Sequence, residues 1–334
     1  MTTVFTWVAS PAHAYQDHPE RPGRLIELEA RLDGFGAQKL EAPPATLEEI
    51  ARVHEPRMIA ALKATCQAGG GIIDYAPTFA TASSFDDARL ASGATLRGAR
   101  AVWAGEASNA FALVRPPGHH AEPARAMGFC LFNNVAVAAR DLLERGARRV
   151  LVVDYDAHHG NGTQAAFWED ERLAYVSTHQ WGIYPGTGRL DDAPHAPGRI
   201  VNVPLPAHAG DECFKQISEQ VLAPMVRAYR PQALLVSAGF DAHWDDPITS
   251  LGVSSAGFFQ ISKRLVELAG EYCRGKIVFV LEGGYNPVNV ARGSAGVFAA
   301  LTGSLFADPG DASHFEEPDI AAALEAIRAR HGFS

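Results

Sequence analysis

The sequence predicts an α/β protein built on a parallel β-sheet with helices on both faces. Short apolar runs rich in Val, Leu and Ile have the composition of strands buried on both faces; they are residues 110–114, 150–153, 173–176, 233–236 and 277–281. Amphipathic stretches of helical length separate several of them, and this alternation indicates a parallel sheet. Polar clusters directly follow these runs, so we expect a functional site at the carboxyl edge of the sheet.

A first strand and three helices are predicted from composition and from residues that end helices. Residues 1–14 lack the basic start and the long apolar segment of a signal peptide, so they are predicted to form a first strand and a loop. Three helices are predicted over residues 133–145, 211–229 and 254–273, and they stop at Gly146, Pro231 and Gly275. Pro224 lies inside the second and predicts a kink or an early end.

Composition excludes several classes of protein. The 334 residues are 47% apolar and 20% charged, which predicts a folded chain, and no repeat or linker divides it, so one domain is expected over residues 1–334. A net charge of −9 without any basic block argues against nucleic-acid binding. Four scattered cysteines favour a reduced, cytoplasmic compartment. No apolar run reaches the ~18 residues that span a bilayer, so no membrane partner is expected.

A metal site is predicted at the end of the second run. Asp154, Asp156 and His158 are spaced i, i+2, i+4, and on an extended backbone their side chains would face one way. One Asp and one His on this face are natural Zn²⁺ ligands, and Asp241, which follows another strand, is the candidate for the third ligand. Three protein ligands leave a position open for water and substrate. The alternative is a polar turn between a strand and a helix.

Two further clusters suggest proton transfer and the stabilisation of an oxyanion. His119 and His120 follow a strand, where they could be metal ligands, a proton-transfer pair or loop residues. Gly283 and Gly284 permit a tight turn, from which the phenol of Tyr285 could donate a hydrogen bond to a developing oxyanion. The alternative for the second cluster is an ordinary turn with a surface tyrosine.

Seven motifs in this order resemble the histone deacetylase superfamily, which includes acetylpolyamine amidohydrolases and bacterial deacetylase-like amidohydrolases. They are HPERP at 18–22, RPPGHH at 115–120, GFCLFNN at 128–134, DYDAHHGNGTQ at 154–164, YPGTG at 184–188, AGFD at 238–241 and EGGY at 282–285. The resemblance implies the arginase/deacetylase fold, a single domain with a central parallel sheet of about eight strands. It also implies one Zn²⁺ (zinc) ion per chain, held by Asp156, His158 and Asp241.

The resemblance also implies catalytic roles. His120 would act as general base and then as general acid, with His119 as its electrostatic partner oriented by Asp154. Asn161 stands where some members carry an Asp beside this base, which is similar to the class II branch. Tyr285 would polarise the acyl carbonyl together with zinc.

Further positions follow from the same resemblance. A monovalent cation, K⁺ (potassium), is expected at the side chains of Asp154, Asp156 and Ser177 and the backbone oxygens of His158 and Thr178. The walls of an acyl tunnel are expected from Phe129 and Tyr184, with Gly128 and Gly284 leaving room.

The predicted substrate is an acylated amine, with acyl-lysine placed first. Ile248 stands where polyamine-selective relatives carry an acidic residue, and Pro77 stands where many lysine deacetylases carry a rim Asp, for which Asp74 is the substitute considered. The alternatives are an acetylpolyamine or other small-amide deacetylase, an inactive acyl-lysine-binding protein and, least favoured, a binuclear manganese ureohydrolase. Fe²⁺ in place of Zn²⁺ and a homo-oligomeric state are both compatible with the sequence.

Overall fold

The computed structural model describes residues 2–306 and 311–333, so Met1 of the predicted first strand and loop and Ser334 of the predicted domain lie outside the described residues. The described strands, in chain order, are β1 (Thr3–Val8), β2 (Gln38–Lys39), β3 (Gly70–Ile72), β4 (Phe79–Thr81), β5 (Asn109–Val114), β6 (Val150–Asp154), β7 (Leu173–Gln180), β8 (Ile200–Leu205), β9 (Ala233–Ala238) and β10 (Ile277–Leu281).

The described α-helices are α1 (Ile26–Glu29), α2 (Leu47–Ile50), α3 (Pro56–Gln67), α4 (Ser84–Ala104), α5 (Asn134–Glu144), α6 (Asn161–Phe167), α7 (Asp211–Ile217), α8 (Ala223–Tyr229), α9 (Ser255–Tyr272), α10 (Pro287–Thr302) and α11 (Ala321–His331). Short 3₁₀ turns cover Pro22–Leu25 and Leu32–Phe35, and a π-helical turn covers Ser218–Leu222.

Eight strands form one sheet in the order β2-β1-β5-β10-β9-β6-β7-β8, and every neighbouring pair in it is parallel. The predicted parallel sheet is therefore confirmed. The remaining two strands, β3 and β4, form a separate antiparallel hairpin. The central strands β5, β10, β9 and β6 come from distant parts of the chain, and their carboxyl ends lie side by side.

The sheet is buried by helices on both faces. In β10, Ile277, Phe279 and Leu281 belong to the core that α9 and α10 cover, whereas Val278 and Val280 belong to the core that α4 and α5 cover. Successive side chains of a strand point to opposite faces, so a strand that is buried on both faces must be apolar throughout. This requirement explains why the central strands are continuous apolar runs.

The predicted strands and helices are found close to their expected bounds. The helix expected over 133–145 is α5, with Asn133 as its N-cap accepting the N–H of Ala136, and the helix expected over 254–273 is α9, with Ser254 as its N-cap. The helix expected over 211–229 is interrupted by the π-helical turn just before Pro224, as the missing N–H of proline predicts.

The sequence reading missed strand β8. Its sequence, IVNVPL, contains Asn202 and Pro204, which break the apolar run. Proline is tolerated here because β8 is an edge strand and needs ladder partners on one side only.

One geometric expectation was wrong. The backbone from Asp154 to His158 is not extended, because β6 ends at Asp154. The N–H of Asp156 donates to Oδ1 of Asp154 (3.1 Å), and the N–H of His158 donates to Oδ1 of Asp156 (2.9 Å). Aspartate side chains that accept backbone N–H groups two residues ahead favour turns over strands. The i, i+2, i+4 spacing therefore does not place the three side chains on one face.

Among the described helices, none combines the length and the apolar character needed to cross a membrane.

Candidate active site

Three of the predicted metal ligands meet at one point. Nδ1 of His158 lies 3.0 Å from Oδ2 of Asp241 and 3.2 Å from Oδ1 of Asp156. The ligand atoms of all three lie within 4.8 Å of one another. Both aspartate side chains are almost completely buried, and that of His158 is 11% exposed. The loops after β6 and β9 supply these residues, because the two strands are neighbours in the sheet.

Each carboxylate of this group is also tied to a neighbouring loop. Oδ2 of Asp156 accepts the N–H of Gly283 (2.8 Å), and Oδ1 of Asp241 accepts the N–H of Ala157 (2.9 Å). Asp241 therefore has one oxygen held by backbone and the other directed at the His158 ring, whereas both oxygens of Asp156 accept backbone N–H groups and its Oδ1 also faces that ring. Such anchoring fixes the geometry of ligands before a metal binds.

The electrostatics of this group fit a divalent cation. Burial lowers the pKa of His158, but the hydrogen bonds to Asp156 and Asp241 outweigh burial and raise it to about 10. The point between the two carboxylates and Nδ1 therefore stabilises positive charge. Two carboxylate oxygens and one imidazole nitrogen form a donor set that suits Zn²⁺ or Fe²⁺.

The two adjacent histidines follow β5 and lie beside this group. Nδ1 of His119 is 3.1 Å from Oδ2 of Asp154, and Nδ1 of His120 is 2.8 Å from Oδ1 of Asn161. Asn161 in turn donates from Nδ2 to Glu122 (2.8 Å), and this bond fixes which end of the amide faces His120. Since an amide oxygen can only accept, Nδ1 of His120 carries the hydrogen and Nε2 keeps a free lone pair.

Opposite pKa shifts distinguish the two histidines. Burial lowers the pKa of His119, but Asp156 and Asp154 outweigh it, so the net shift is upward. Burial and the neighbouring His119 both hold the pKa of His120 below its ordinary value. His120 is therefore the neutral member of the pair.

Tyr285 follows β10 and is held by its backbone and its ring. Its N–H donates to Oδ2 of Asp246 (2.9 Å), and the guanidinium of Arg24 lies 5.3 Å from the ring centroid. Burial and the charge of Asp241 raise the pKa of the phenol well above its ordinary value. The hydroxyl therefore stays protonated at neutral pH and is able to donate a hydrogen bond.

Phe129, Tyr184 and Gly128, the residues expected to line an acyl tunnel, lie beside His120 and Tyr285. The ring of Tyr184 meets that of His120 edge-on at 5.1 Å, and the ring of Phe129 meets that of Tyr285 at 6.0 Å. Gly128 has a φ of 58°, and a Cβ there would lie 2.5 Å from the ring of His120. A glycine is required at this position by the close approach of the histidine ring.

Gly284 does not have the surroundings that the tunnel prediction gave it. A Cβ on Gly284 would lie 2.9 Å from Val290 and 3.0 Å from Phe240, both of which belong to the core. The absence of a side chain therefore allows Gly284 to pack closely against Phe240 and Val290. Ile248 is 40% exposed, and its N–H donates to Oδ1 of Asp246 (3.0 Å).

The residues expected to bind a monovalent cation are divided between two neighbouring strands and a loop. Asp154 ends β6 and is the register partner of Ser177 in β7, Thr178 follows in β7, and Asp156 and His158 lie in the loop after β6. The Ser177 hydroxyl is 2.9 Å from Nδ1 of His179, and the Thr178 hydroxyl donates to the carbonyl of Asp154 (3.4 Å). Asp154 also accepts the hydroxyl of Tyr175 (2.9 Å). These side chains are thus engaged by other protein groups.

The loop between β3 and β4 borders the same site. Both carboxylate oxygens of Asp74 accept backbone N–H groups, from Ala76, Thr78 and Gly128 at 3.0, 2.7 and 3.2 Å. This carboxylate therefore anchors its own loop to the position next to Phe129. Pro77 lies in that loop and provides no donor of its own.

Sequence reasoning missed three contributors to the site. Asp246 anchors Tyr285, Glu122 orients Asn161, and Arg24 donates to the carbonyls of Glu282 and Gly284 at 2.5 and 2.8 Å. Arg24 lies two residues after the HPERP motif and Asp246 lies five residues after the AGFD motif, and this proximity is the signal that the sequence offers for them. No sequence pattern indicated Glu122, because its partner is a side chain 39 residues away.

Residues 18–301 match the histone deacetylase domain. The chain is 39% identical over 311 residues to a probable deacetylase from Archaeoglobus fulgidus, covering 90% of this chain and 84% of that protein. It is 36% identical over 326 residues to the histone deacetylase-like amidohydrolase from Pseudomonas aeruginosa, covering 94% and 85%.

A solved structure agrees with these matches. The crystal structure of the HDA15 HD domain aligns with a TM-score of 0.88 and 33% identity, covering all of this chain and 96% of that one. The eight-stranded parallel sheet is that of the arginase/deacetylase fold. This chain therefore belongs to the histone deacetylase superfamily and is a hydrolase of amide C–N bonds.

Proposed function

We propose that this protein is a zinc-dependent deacylase that removes an acyl group, with acetyl the first candidate, from the side-chain nitrogen of an acylated lysine. The observation that carries the proposal is the convergence of Asp156, His158 and Asp241 with the His119–His120 pair at one sheet edge. The proposal includes one Zn²⁺ per chain and a K⁺ ion beside Asp154 and Ser177.

A zinc ion held by Asp156, His158 and Asp241 would polarise the acyl carbonyl and lower the pKa of a water toward ~7. Nε2 of His120, whose lone pair is free, accepts a proton from the attacking water while the water oxygen adds to the carbonyl carbon. The Tyr285 hydroxyl donates a hydrogen bond to the oxygen that becomes negative. His120 then gives the proton to the departing nitrogen, the C–N bond breaks, and a carboxylic acid and a free amine leave.

The rim of the site favours acyl-lysine over an acetylpolyamine. Ile248 is 40% exposed and offers nothing to a second ammonium group, and the Asp74 carboxylate is occupied by backbone N–H groups. Tyr75 is 81% exposed, and its ring lies 6.1 Å from that of Tyr184. The exposed apolar groups of Tyr75 and Ile248 can pack against the aliphatic stem of a lysine, and Ile248 itself gives the second ammonium group of a polyamine no counter-charge.

The test is an assay of the zinc-loaded protein on a fluorogenic acetyl-lysine peptide and on acetylputrescine under one set of conditions. Asp241→Ala removes a predicted ligand, and Asp191→Ala, which alters an exposed carboxylate outside the site, is the matched control. We expect turnover of the peptide in wild type and Asp191→Ala, and none in Asp241→Ala or with a chelator.

The other outcomes select the alternatives. Faster turnover of acetylputrescine would assign the small-amide deacetylase instead. No turnover of either substrate with one zinc per chain, together with saturable binding of the acetyl-lysine peptide, would support an acyl-lysine-binding protein. Two tightly bound metals per chain would contradict the mononuclear site.

A further inference from the structure

Glu282 takes no part in the steps above, yet its side chain is completely buried at the end of β10. Its Oε2 accepts the N–H groups of Gly118 (2.7 Å) and His119 (3.1 Å), and its Oε1 accepts the hydroxyl of Ser237 (3.0 Å). A buried carboxylate is costly unless donors satisfy it. Two of its three donors are backbone groups of the turn that carries the histidine pair.

The opposite side of this turn is fixed by packing. A Cβ on Gly118 would lie 2.5 Å from the backbone nitrogen of Asn134, so the turn rests directly on the start of α5. The carbonyl of His119 accepts the N–H of Thr163 (3.1 Å). On the remaining side, the Glu282 carboxylate accepts the N–H groups of Gly118 and His119. Among the described residues, no backbone carbonyl accepts either of these N–H groups.

Glu282 is itself well anchored. Its carbonyl accepts the guanidinium of Arg24 (2.5 Å), and the next residue, Gly283, donates to the predicted metal ligand Asp156 (2.8 Å). The carboxylate therefore joins the histidine turn to the strand that also carries Tyr285. Errors of about 1 Å in the position of a catalytic group can cost about 10²-fold in rate, so such a connection bears on catalysis.

We propose that Glu282 is a positioning residue, which sets the orientation of the His119–His120 pair through the backbone of their turn and does not touch the substrate. The inference rests on the proposed function in one respect, namely that these histidines transfer the proton. The proposed role requires an acceptor oxygen within hydrogen-bonding distance of the N–H groups of Gly118 and His119, which the length of the glutamate side chain provides.

Two substitutions separate geometry from charge. Glu282→Gln loses the charge but keeps one oxygen for the two backbone N–H groups, while its amide faces the Ser237 hydroxyl, which can accept as well as donate. Glu282→Asp keeps the charge but shortens the side chain by one methylene, so its oxygens fall short of the turn. Ser237→Ala is the control, because it removes the third donor and leaves both backbone bonds.

We expect kcat on the best substrate to fall about 10²-fold in Glu282→Asp with KM within about threefold of wild type. Glu282→Gln and Ser237→Ala should keep kcat within about threefold, with equal zinc content in all variants. The reverse ranking, with the aspartate variant active and the glutamine variant inactive, would show that charge matters and would overturn the proposal. Equal activity of all variants would overturn it as well.

A second measurement does not depend on turnover. Long-range ¹H–¹⁵N NMR of the imidazole rings reports the environments of His119 and His120 in the full-length zinc-loaded protein. We expect both ring signals to shift in Glu282→Asp and to stay near wild type in Glu282→Gln and Ser237→Ala. Unchanged histidine signals in Glu282→Asp would contradict the positioning role, whereas an inactive wild type with the expected NMR pattern would count only against the proposed function.

Discussion

At the scale of single residues, the site depends on carboxylates that accept backbone N–H groups from neighbouring loops. Asp156 holds Gly283, Asp241 holds Ala157, and Asp246 holds Tyr285. Each of these bonds links loops that follow different strands. A carboxylate that is fixed in this way cannot turn to solvent, so the site is preorganised before substrate binds.

The Tyr285 hydroxyl is predicted to stabilise the oxyanion. Tyr285→Phe should lower kcat about 10²–10³-fold, the usual effect of removing one such donor, with a small change in KM. The measurement is steady-state kinetics on the acetyl-lysine peptide. Tyr75→Phe, which removes an exposed hydroxyl at the rim, is the control and should stay within about twofold of wild type. A nearly full rate in Tyr285→Phe would refute this role.

Asp246 is predicted to support both Tyr285 and the rim. Its two oxygens accept the N–H groups of Tyr285 and Ile248, so Asp246→Ala should lower kcat about tenfold and raise KM as both segments loosen. Asp245→Ala is the matched control, because Asp245 is exposed and its carboxylate binds only the side chain of Asn286 among the described residues. Equal kinetic effects of the two substitutions would argue against the tether.

At the scale of elements, a buried carboxylate joins helices on one face of the sheet. Asp141 of α5 accepts two bonds from Arg100 of α4 at 2.7 and 2.8 Å, and one each from Arg52 and Arg145 at 2.7 Å. Its side chain is 2% exposed, whereas the arginines remain partly in solvent. Charge-assisted bonds of this kind are stronger than neutral ones.

The pH dependence of stability follows from this cluster. Burial raises the pKa of Asp141, but the bonds from Arg100 and Arg145 outweigh burial and lower it to about 2 from 3.8. Because the folded-state pKa lies below the unfolded one, the stabilisation is present above pH 4 and disappears as the pH falls to about 2. Asp141→Asn should cost about 1–2 kcal/mol at neutral pH, allowing for solvent screening.

Urea unfolding of wild type and Asp141→Asn at several pH values provides the measurement. The difference in the free energy of unfolding should shrink steadily as the pH falls below 4. A difference that does not change with pH would mean that the substitution acts through packing. Asp33→Asn is the control, because Asp33 is exposed and its carboxylate has no hydrogen bond or ion pair among the described residues, and it should behave like wild type at every pH.

At the scale of the whole molecule, the strand order decides which residues meet. β5, β10, β9 and β6 are neighbours in that order, so the histidine pair, Tyr285, Asp241 and the Asp156–His158 loop meet at one edge. These residues span the chain from 119 to 285. Assembly of the site therefore requires the complete central sheet.

Metal removal is predicted to affect the stability of the whole fold. A ligand that binds only the folded chain stabilises it by ~4 kcal/mol at a thousandfold excess over Kd. Chelation should therefore lower Tm by several degrees as well as abolish activity, and one equivalent of Zn²⁺ should restore both. Asp241→Ala should show a Tm that does not respond to zinc. A wild-type Tm unaffected by chelation would contradict a site formed by these three residues.

The parallel sheet, five of its strands, three helices and the superfamily all follow from the sequence alone. These depend on local properties: a strand buried on both faces is apolar throughout, a helix carries caps at its ends, and motif residues keep their spacing. β8 was not predicted because Asn202 and Pro204 break its apolar run. They are tolerated because β8 lies at the sheet edge, and that position depends on the neighbouring strands.

The construction of the site depends on contacts that form only when the chain folds. The packing of Gly284 against Phe240 and the bond from the N–H of Gly128 to the Asp74 carboxylate both join residues that are distant in sequence. The same is true of the bonds from Glu282 to the histidine turn, which join residues more than 160 positions apart. The sequence shows that a carboxylate is present but not which backbone N–H groups donate to it, because the order of the strands decides which loops become neighbours.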